Sequence, residues 1–305
     1  MQTVIPRSYI ENYSNALNLA SDTAKKALVE ALAAMDYTQP VDKIRDVVIA
    51  IMQVACGAST SVAARLAADF YDGLRVYMVG DAYGAIAESM RNPAATEGAI
   101  RAFIQIIVDG GDVDEFVKMC ADRLDYENRR AANECIVANA KKDPKKPRWA
   151  RVPTGDETCE FCIMLASRGF VYGSAELASH SHANCDCRII PGWGRESKVE
   201  GYSADDYFNK YLKSSLNTSI RHSRRIVDDV THRAMRDVGK GSKFNSVNEM
   251  TAYIKAADNI DDLYVRADVV LNDFKKYWNK GNNASESMFN SISRAAKEMR
   301  KKLMR

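Results

Sequence analysis

The length, composition and charge of the chain exclude several classes of protein. The chain has 305 residues, with 43 Lys and Arg against 40 Asp and Glu, so its formal net charge is only +3. A chain of this length can bury a core without disulfide staples, and so small a net charge is not typical of a dedicated nucleic-acid-binding protein.

The N-terminal residues and the cysteines indicate where the protein works. The segment MQTVIPRSYIENYSNALNLA lacks the basic stretch, apolar core and cleavage site of a secretory signal. No run of 18 apolar residues is present, so the sequence predicts no membrane partner. Without an export signal, the seven cysteines are expected to remain reduced, because cytosolic glutathione keeps thiols free. Clustered reduced thiols suggest a bound metal.

The first part of the chain has the apolar spacing of amphipathic helices. One helix is predicted from about residue 14 to 35, and Pro40 separates it from a second helix that begins at Val41. Ser59-Thr60-Ser61 is predicted to cap a third helix, which runs to about Gly73.

Two further helices are predicted at about 96–109 and 112–141, with Asp109-Gly110-Gly111 as the break between them. Region 1–142 is therefore predicted to be an N-terminal helical bundle. Three cysteines occur singly within these helical stretches and are expected in its core: Cys56, Cys120 and Cys135.

A basic segment follows the bundle. KKDPKKPRWAR, residues 141–151, carries six basic residues and one acid, Asp143, and its two prolines forbid a continuous helix. It is predicted to be a linker, either simply solvated or in contact with DNA phosphates or an acidic partner. The candidate contact residues are Lys141, Lys142, Lys145, Lys146 and Arg148.

The composition then changes to Gly, Ser, Cys and His, with GFVY and CRII as short strand candidates. Region 143–195 is predicted to be this basic linker followed by a small irregular zinc-binding module. Helical spacing resumes at about Asp205 and continues at 246–279 and 284–304, so 196–305 is predicted to be a C-terminal helical region. The predicted fold class is mainly α.

The cysteines of TCEFC and HANCDC indicate a zinc site. A Cys-x-x-Cys turn presents two sulfurs at the spacing that tetrahedral zinc requires, and a second pair of ligands is available close by in sequence. Our first choice of ligands is Cys159, Cys162, His182 and Cys185, with Cys187 as a replacement for His182 or Cys185 and His180 as an outside candidate. Four protein ligands leave no position for water, so the predicted zinc is structural.

Catalytic patterns are missing from the sequence. No histidine has the glutamate that zinc deaminases and zinc proteases need, and no phosphate-binding glycine loop or Gly-x-Ser-x-Gly is present. His222 and His232 are expected at the surface or an interface. A cysteine protease stays open, because its catalytic residues need not be close in sequence.

Two separate stretches resemble one family. RWARVPTGDETCEFCIMLASRGFVYGSAE with HSHANCDCRIIP resembles the signature of minor head proteins of tailed bacteriophages, the phage Mu protein F-like group, in the branch typical of actinobacterial phages. AARLAADFYDGLR, residues 63–75, resembles the helical N-terminal half of that branch. The resemblance covers roughly residues 10–195.

The resemblance implies a structural or morphogenetic minor capsid protein that works inside the phage head or at the portal vertex. The implied partners are the portal protein and the major capsid protein, and an oligomer in the virion is also implied. Separately, the basic residues of 141–151 and of the C-terminal RAAKEMRKKLMR predict weak contact with packaged DNA without sequence preference. During assembly the protein would be in the host cytoplasm. The alternative is a zinc-dependent or cysteine hydrolase similar to a capsid maturation protease, although residues 196–305 carry no such signature.

Overall fold

The chain folds into two units that are both mainly helical, which confirms the predicted fold class. The computed structural model describes residues 3–155, 158–171, 187–194, 196–214, 244–278 and 281–304. The first unit comprises residues 1–158 and 169–202, and the second comprises residues 159–168 and 203–305. The predicted middle region 143–195 therefore contributes described residues to both units, and the zinc-binding module stays a prediction.

The first unit contains the long helices and all of the described strands. Its elements in chain order are β1 (Val4–Ile5), α1 (Arg7–Ala33), α2 (Val41–Val79), α3 (Pro93–Phe103), α4 (Gln105–Val108), α5 (Val113–Lys142), β2 (Arg148–Pro153), β3 (Cys187–Gly192) and β4 (Lys198–Val199). Helices α1, α2 and α5 pack against one another, as the amphipathic spacing predicts.

The three single cysteines lie in the core of this unit, as predicted. Cys56 and Cys120 belong to one apolar cluster with Leu32, Met52 and Phe116, and Cys135 is also fully buried. Burial raises the pKa of the Cys56 and Cys135 thiols to about 11 and that of Cys120 to about 12. These thiols are therefore neutral packing groups at pH 7.

Helix α2 is longer than predicted, because Ser59-Thr60-Ser61 does not begin a new helix. The Thr60 hydroxyl donates to the Cys56 carbonyl at 2.6 Å, and the Ser61 hydroxyl donates to the Gly57 carbonyl at 2.9 Å. Hydroxyls that bond back to the preceding turn can stay inside a helix. The predicted cap is wrong, and α2 continues to Val79.

By length and composition alone, α2 could also cross a membrane. Only 39% of its most apolar stretch of 18 residues is buried inside the protein. A single helix of this kind is weak support for a membrane span, because core helices of soluble proteins have the same composition. The absence of a membrane partner stays a prediction.

The strands form two small sheets. β2 pairs antiparallel with β3, so that Trp149 lies opposite Pro191 and Pro153 lies opposite Cys187, while β1 pairs parallel with β4. The predicted CRII strand is confirmed. The GFVY strand is not, because Gly169 has a left-handed φ of 71° and Val171 donates to the Gly169 carbonyl in a turn; Tyr172 lies outside the described residues.

Part of the predicted linker is instead a buried strand. Trp149 and Arg151 on one face of β2 are 1% and 0% exposed, and Ala150 and Val152 on the other face are both 0% exposed, so both faces of this strand are covered. The linker prediction is therefore wrong from residue 148 onward. It holds only for the short turn between α5 and β2.

The second unit contains the remaining helices, close to the predicted positions. They are α6 (Glu160–Ala166), α7 (Ala204–Ser214), α8 (Val247–Lys255), α9 (Ile260–Phe274), the 3-10 turn Lys275–Tyr277 and α10 (Asn283–Leu303). Helices α8, α9 and α10 begin at the capping residues Ser246, Asn259 and Asn282. His222 and His232 lie outside the described residues.

Candidate functional site

Cys159 and Cys162 lie at the beginning of a helix. Cys159 is the exposed N-cap residue of α6, and Cys162 is buried in its first turn. The backbone N–H of Cys162 donates to the Cys159 sulfur over 3.3 Å. The Cys159 sulfur therefore caps the N-terminus of α6.

The other predicted ligands are only partly described. Cys187 is the first residue of β3 and is 1% exposed, whereas His180, His182 and Cys185 lie outside the described residues. Within the ranges that the structure describes, no three His, Cys, Asp or Glu side chains are grouped as a metal site would require. The zinc ion and its ligand set therefore stay predictions.

The basic segment forms a tight turn between α5 and β2. Its five candidate contact residues are all exposed: Lys141, Lys142, Lys145, Lys146 and Arg148. Lys141 and Lys142 end α5, Lys145 and Lys146 lie in the turn itself, and Arg148 begins β2; we call these five residues together the basic turn. The N–H of Lys146 donates to the Asp143 carbonyl at 3.0 Å, and Lys146 has a left-handed φ of 47°. The backbone of the turn is thus closed on Asp143.

Asp143, the single acid of the segment, anchors the turn from inside the protein. Its carboxylate is fully buried and accepts hydrogen bonds from Arg75 Nε at 2.9 Å, the Tyr71 hydroxyl at 3.0 Å and Trp193 Nε1 at 3.1 Å. The N–H of Lys145 donates to its other oxygen at 2.8 Å. Because a buried charge is stable only when paired and hydrogen-bonded, these four donors are what keep the carboxylate ionised.

The pKa shifts follow from this arrangement. Burial alone would raise the pKa of Asp143, but the hydrogen bonds from Arg75, Lys145, Trp193 and Tyr71 outweigh burial and lower it. Burial and the adjacent carboxylate together raise the pKa of Tyr71. The hydrogen bond to Asp143 is the largest cause that raises the pKa of Arg75. Asp143 is therefore charged and Tyr71 neutral at pH 7.

The same carboxylate joins segments that are far apart in sequence. Tyr71 and Arg75 belong to AARLAADFYDGLR, and Trp193 belongs to IIPGWG just after β3. Tyr71 and Trp193 also contact each other edge to face, with 5.4 Å between ring centroids. Sequence reasoning missed this cluster. The signal in the sequence was Asp143 itself, the single acidic residue among six basic residues, because it suggests a carboxylate that pairs with a basic side chain.

The neighbouring residue of the same motif fixes a second segment. The Asp72 carboxylate accepts from the N–H groups of Tyr83 at 2.9 Å, Gly84 at 3.1 Å and Ala85 at 2.8 Å. The loop after α2 is thereby held against the helix that also supplies Tyr71 and Arg75. Residues 63–75 therefore act as an organising segment of the first unit.

The β2–β3 sheet is attached to α1 by polar contacts. Arg188 on β3 is 2% exposed and donates from Nη2 to Asn18 Oδ1 at 2.7 Å. At the end of β2, the Pro153 carbonyl accepts from Arg7 Nη2 at 2.9 Å, and the hydroxyls of Ser14 and Thr154 are 3.1 Å apart. The basic turn is thus held between a long helix at one end and a docked sheet at the other.

Comparisons with known proteins agree with a bacteriophage origin. A family described as VG15 protein matches residues 4–214. The Gene 15 protein of Mycobacterium phage L5 is 32% identical, and the Gene 15 protein of Mycobacterium phage D29 is 33% identical. Each match covers 21% of this chain and 36% of the relative, so the chain spans about a third of the length of these curated relatives. No solved structure matches the chain.

The family match includes both stretches that carried the sequence resemblance. It contains the organising segment 63–75, the basic turn and residues 158–187, which we call the cysteine segment, and residues 215–305 lie beyond it. The predicted bacteriophage origin is confirmed, whereas the finer assignment to the phage Mu protein F-like group is not supported. Because the match from residue 4 to 214 spans more than half of the 305 residues, the chain belongs to the VG15 protein family.

Proposed function

We propose that this protein is a minor structural protein of the phage head, which acts by binding during head assembly rather than by catalysis. Membership of a bacteriophage family and the two mycobacteriophage relatives support this setting. The proposed partners are the portal protein or the major capsid protein, with packaged DNA as a non-specific contact. The proposed location is the head interior or the portal vertex.

The observation that carries the proposal is the basic turn on its buried anchor. Lys145 and Lys146 project from a turn that Asp143 fixes through two contacts. They are flanked by exposed Lys141 and Lys142 at the end of α5 and Arg148 at the start of β2, and Lys142 also lies 3.6 Å from the Glu88 carboxylate. A turn that is already ordered loses less conformational entropy on binding than a flexible linker would. A preorganised cationic surface suits DNA phosphates or an acidic protein surface, which are both abundant in a phage head.

The C-terminal basic segment is less available than its sequence indicates. In RAAKEMRKKLMR, Arg300 is 3% exposed and donates from Nε to the Ser167 carbonyl at 3.0 Å. It also pairs with Asp205. The other described basic residues of the segment remain exposed: Arg294, Lys297, Lys301 and Lys302. The segment is therefore a second candidate for a phosphate contact, beside the basic turn.

DNA binding is expected to be weak, salt-sensitive and independent of sequence, because lysines that contact phosphates read no bases. Replacing Lys142, Lys145 and Lys146 with Gln should weaken binding to a random-sequence duplex. Each lost phosphate contact should also reduce the slope of log K against log salt by about 1. Fluorescence anisotropy over a salt series measures both quantities.

A control variant with the same net charge distinguishes a specific contribution of the basic turn to DNA binding from a general effect of net charge. Replacing Lys26, Arg101 and Lys118, which are exposed elsewhere on the first unit, with Gln removes the same charge. The control should retain most of the affinity. Equal losses in the two variants would show that only net charge matters, and a sequence-selective footprint would contradict phosphate-only binding.

The head role itself is tested in phage particles. A phage deleted for this gene is complemented with the wild-type chain or with the turn variant, and the particles are purified. We expect the wild-type chain to co-purify with portal or major capsid protein, and particles without it to lose infectivity or head maturation. Normal infectious particles without the protein would overturn the proposal.

A structural zinc ion belongs to the same proposal. The Cys-x-x-Cys spacing supports Cys159 and Cys162 as ligands, and the remaining pair is proposed from His182, Cys185 and Cys187. Zinc closed by four protein ligands stabilises a fold and leaves no coordination position for a reacting water. Zinc-dependent turnover of a peptide by the pure protein would favour the hydrolase alternative instead.

A further inference from the structure

An apolar groove of about 780 Å³ runs along the first unit between α1 and α2. Its walls consist mainly of alanine and valine side chains: Ala20, Ala24 and Ala27 on α1, and Val54, Ala58 and Val62 on α2. Small side chains on both walls let the backbone of another helix approach closely. The groove therefore has the width and chemistry of a helix-binding surface.

The face that borders this groove is costly to leave in water. Val54 is 75% exposed and Val62 is 49% exposed, and both side chains line the groove. Residues 47–64 contain no Asp, Glu, Lys or Arg. Contiguous apolar surface of this kind on a folded protein marks an interaction site.

We propose that the groove binds the same face of a second copy, with the two α2 helices antiparallel across a two-fold axis near Cys56. Such an interface is isologous: if residue i of the first copy contacts residue j of the second, then residue j of the first copy contacts residue i of the second. Helices α1 and α2 of each copy then form a four-helix arrangement, in which Val54 of each copy enters the groove of the other.

The charges at the two ends of the face support a second copy in this orientation. Lys43 and Asp69 are both exposed, and each lies 13 residues from Cys56 in opposite directions. In the antiparallel pair, Lys43 of each copy therefore comes level with Asp69 of the other. A parallel pair would place lysine against lysine and aspartate against aspartate, which is unfavourable.

Arg65 fits the same register. It is exposed and lies nine residues after Cys56, at the level where the second copy presents Val47, which is nine residues before Cys56. The aliphatic stem of an arginine can cover a valine while its guanidinium remains in water. From Lys43 to Asp69 the paired helices would extend for about 39 Å.

The oligomeric state tests the proposal. Sedimentation velocity of the full chain should show a concentration-dependent species of twice the 33.9 kDa of one chain. Replacing Val54 with Asp places a charge in the dimer core and should weaken association about 30-fold or more. The control is Val108→Asp, because Val108 is 53% exposed at the end of α4, outside the groove, and its replacement should leave association unchanged.

Charge exchange tests the antiparallel register separately. Lys43→Glu and Asp69→Lys should each weaken the dimer about threefold to tenfold at low salt, because each creates like-charge pairs at both ends. Mixing the two variants should restore association, since the mixed dimer has opposite charges at both ends. The double variant should restore it as well.

Several results would overturn the proposal. They are a monomer at every soluble concentration, equal effects of the Val54 and Val108 variants, and no recovery on mixing. Binding of the wild-type chain to neutral lipid vesicles that Val54→Asp abolishes, without any dimer, would instead assign the face to a membrane. None of these outcomes depends on the proposed role in the phage head.

Discussion

Replacing Asp143 with Asn is expected to lower the free energy of unfolding by about 3 kcal/mol, because it removes one partner of a buried ion pair. Arg75 is 4% exposed, and its Nε would face a neutral amide in place of a carboxylate. The Tyr71 hydroxyl and Trp193 Nε1 would lose a charged acceptor as well. Urea unfolding followed by circular dichroism measures the change.

Asp81→Asn is the matched control, because Asp81 also pairs with Arg75. Its carboxylate lies 3.0 Å from Arg75 Nη1 but is 67% exposed. An exposed pair contributes about 0.2–1 kcal/mol at most, so this variant should be nearly as stable as the wild type. Equal losses in the two variants would show that burial of the Asp143 carboxylate is not the important difference.

The pH dependence provides an independent check of the same group. The folded-state pKa of Asp143 lies below its usual value of 3.8, so the folded state favours the charged form. The stabilisation is complete above the unfolded-state pKa and is lost as the pH falls through the folded-state pKa. The difference in stability between wild type and Asp143→Asn should therefore shrink below about pH 4; a constant difference down to pH 2 would contradict this assignment.

The basic turn is expected to respond to the same substitution. Asp143 accepts the Lys145 N–H through its side chain and the Lys146 N–H through its carbonyl. The side-chain contact is weakened in the Asn variant, whereas the carbonyl contact is unchanged. Folded Asp143→Asn protein should therefore bind DNA more weakly than wild type, even though it has gained one unit of positive charge.

The helices could be predicted from the sequence because their apolar spacing is determined locally. The break at Asp109-Gly110-Gly111 and the restart near Asp205 both appear in the structure. The predicted cap at Ser59-Thr60-Ser61 was wrong because a Ser or Thr hydroxyl can either accept from an N–H of the following turn or donate to a carbonyl of the preceding turn. The local sequence does not determine which of these two hydrogen bonds forms. Similarly, the sequence KKPRWAR does not reveal that another strand is available to pair with its second half.

The candidate site was less predictable, because it depends on contacts between distant segments. Asp143, Tyr71 and Trp193 are separated by dozens of residues, and no local pattern links them. Cys159 and Cys162 were recognisable because their spacing alone indicates a paired function. A short spacing can be read from one segment, whereas a buried hydrogen-bonding cluster becomes visible only when the chain is folded.

Purified protein is expected to contain about one zinc ion under reducing conditions, as a closed tetrahedral site requires. Replacing Cys159 with Ser should remove that zinc, because serine does not provide the thiolate that the metal prefers. Cys159 is exposed, so the substitution leaves no cavity and its effect can be assigned to the metal. Elemental analysis of the folded protein measures the metal content.

Cys120→Ala is the control for the loss of a thiol. Cys120 is fully buried in the core between the long helices, so its truncation should reduce stability by about 1 kcal/mol through the cavity that it leaves. Zinc content should remain at the wild-type level. A structural site thus predicts opposite patterns for the two variants, metal loss in Cys159→Ser and loss of packing alone in Cys120→Ala.

The stability of the zinc-free protein completes the test. Binding of structural zinc contributes directly to folding, so Cys159→Ser and chelator-treated wild type should show the same loss of stability. That loss should be confined to the cysteine segment, because the helices α1, α2 and α5 have an apolar core of their own. Wild-type protein that contains no zinc, and whose Cys159 reacts with thiol reagents as fast as a free cysteine, would show that these cysteines hold no metal.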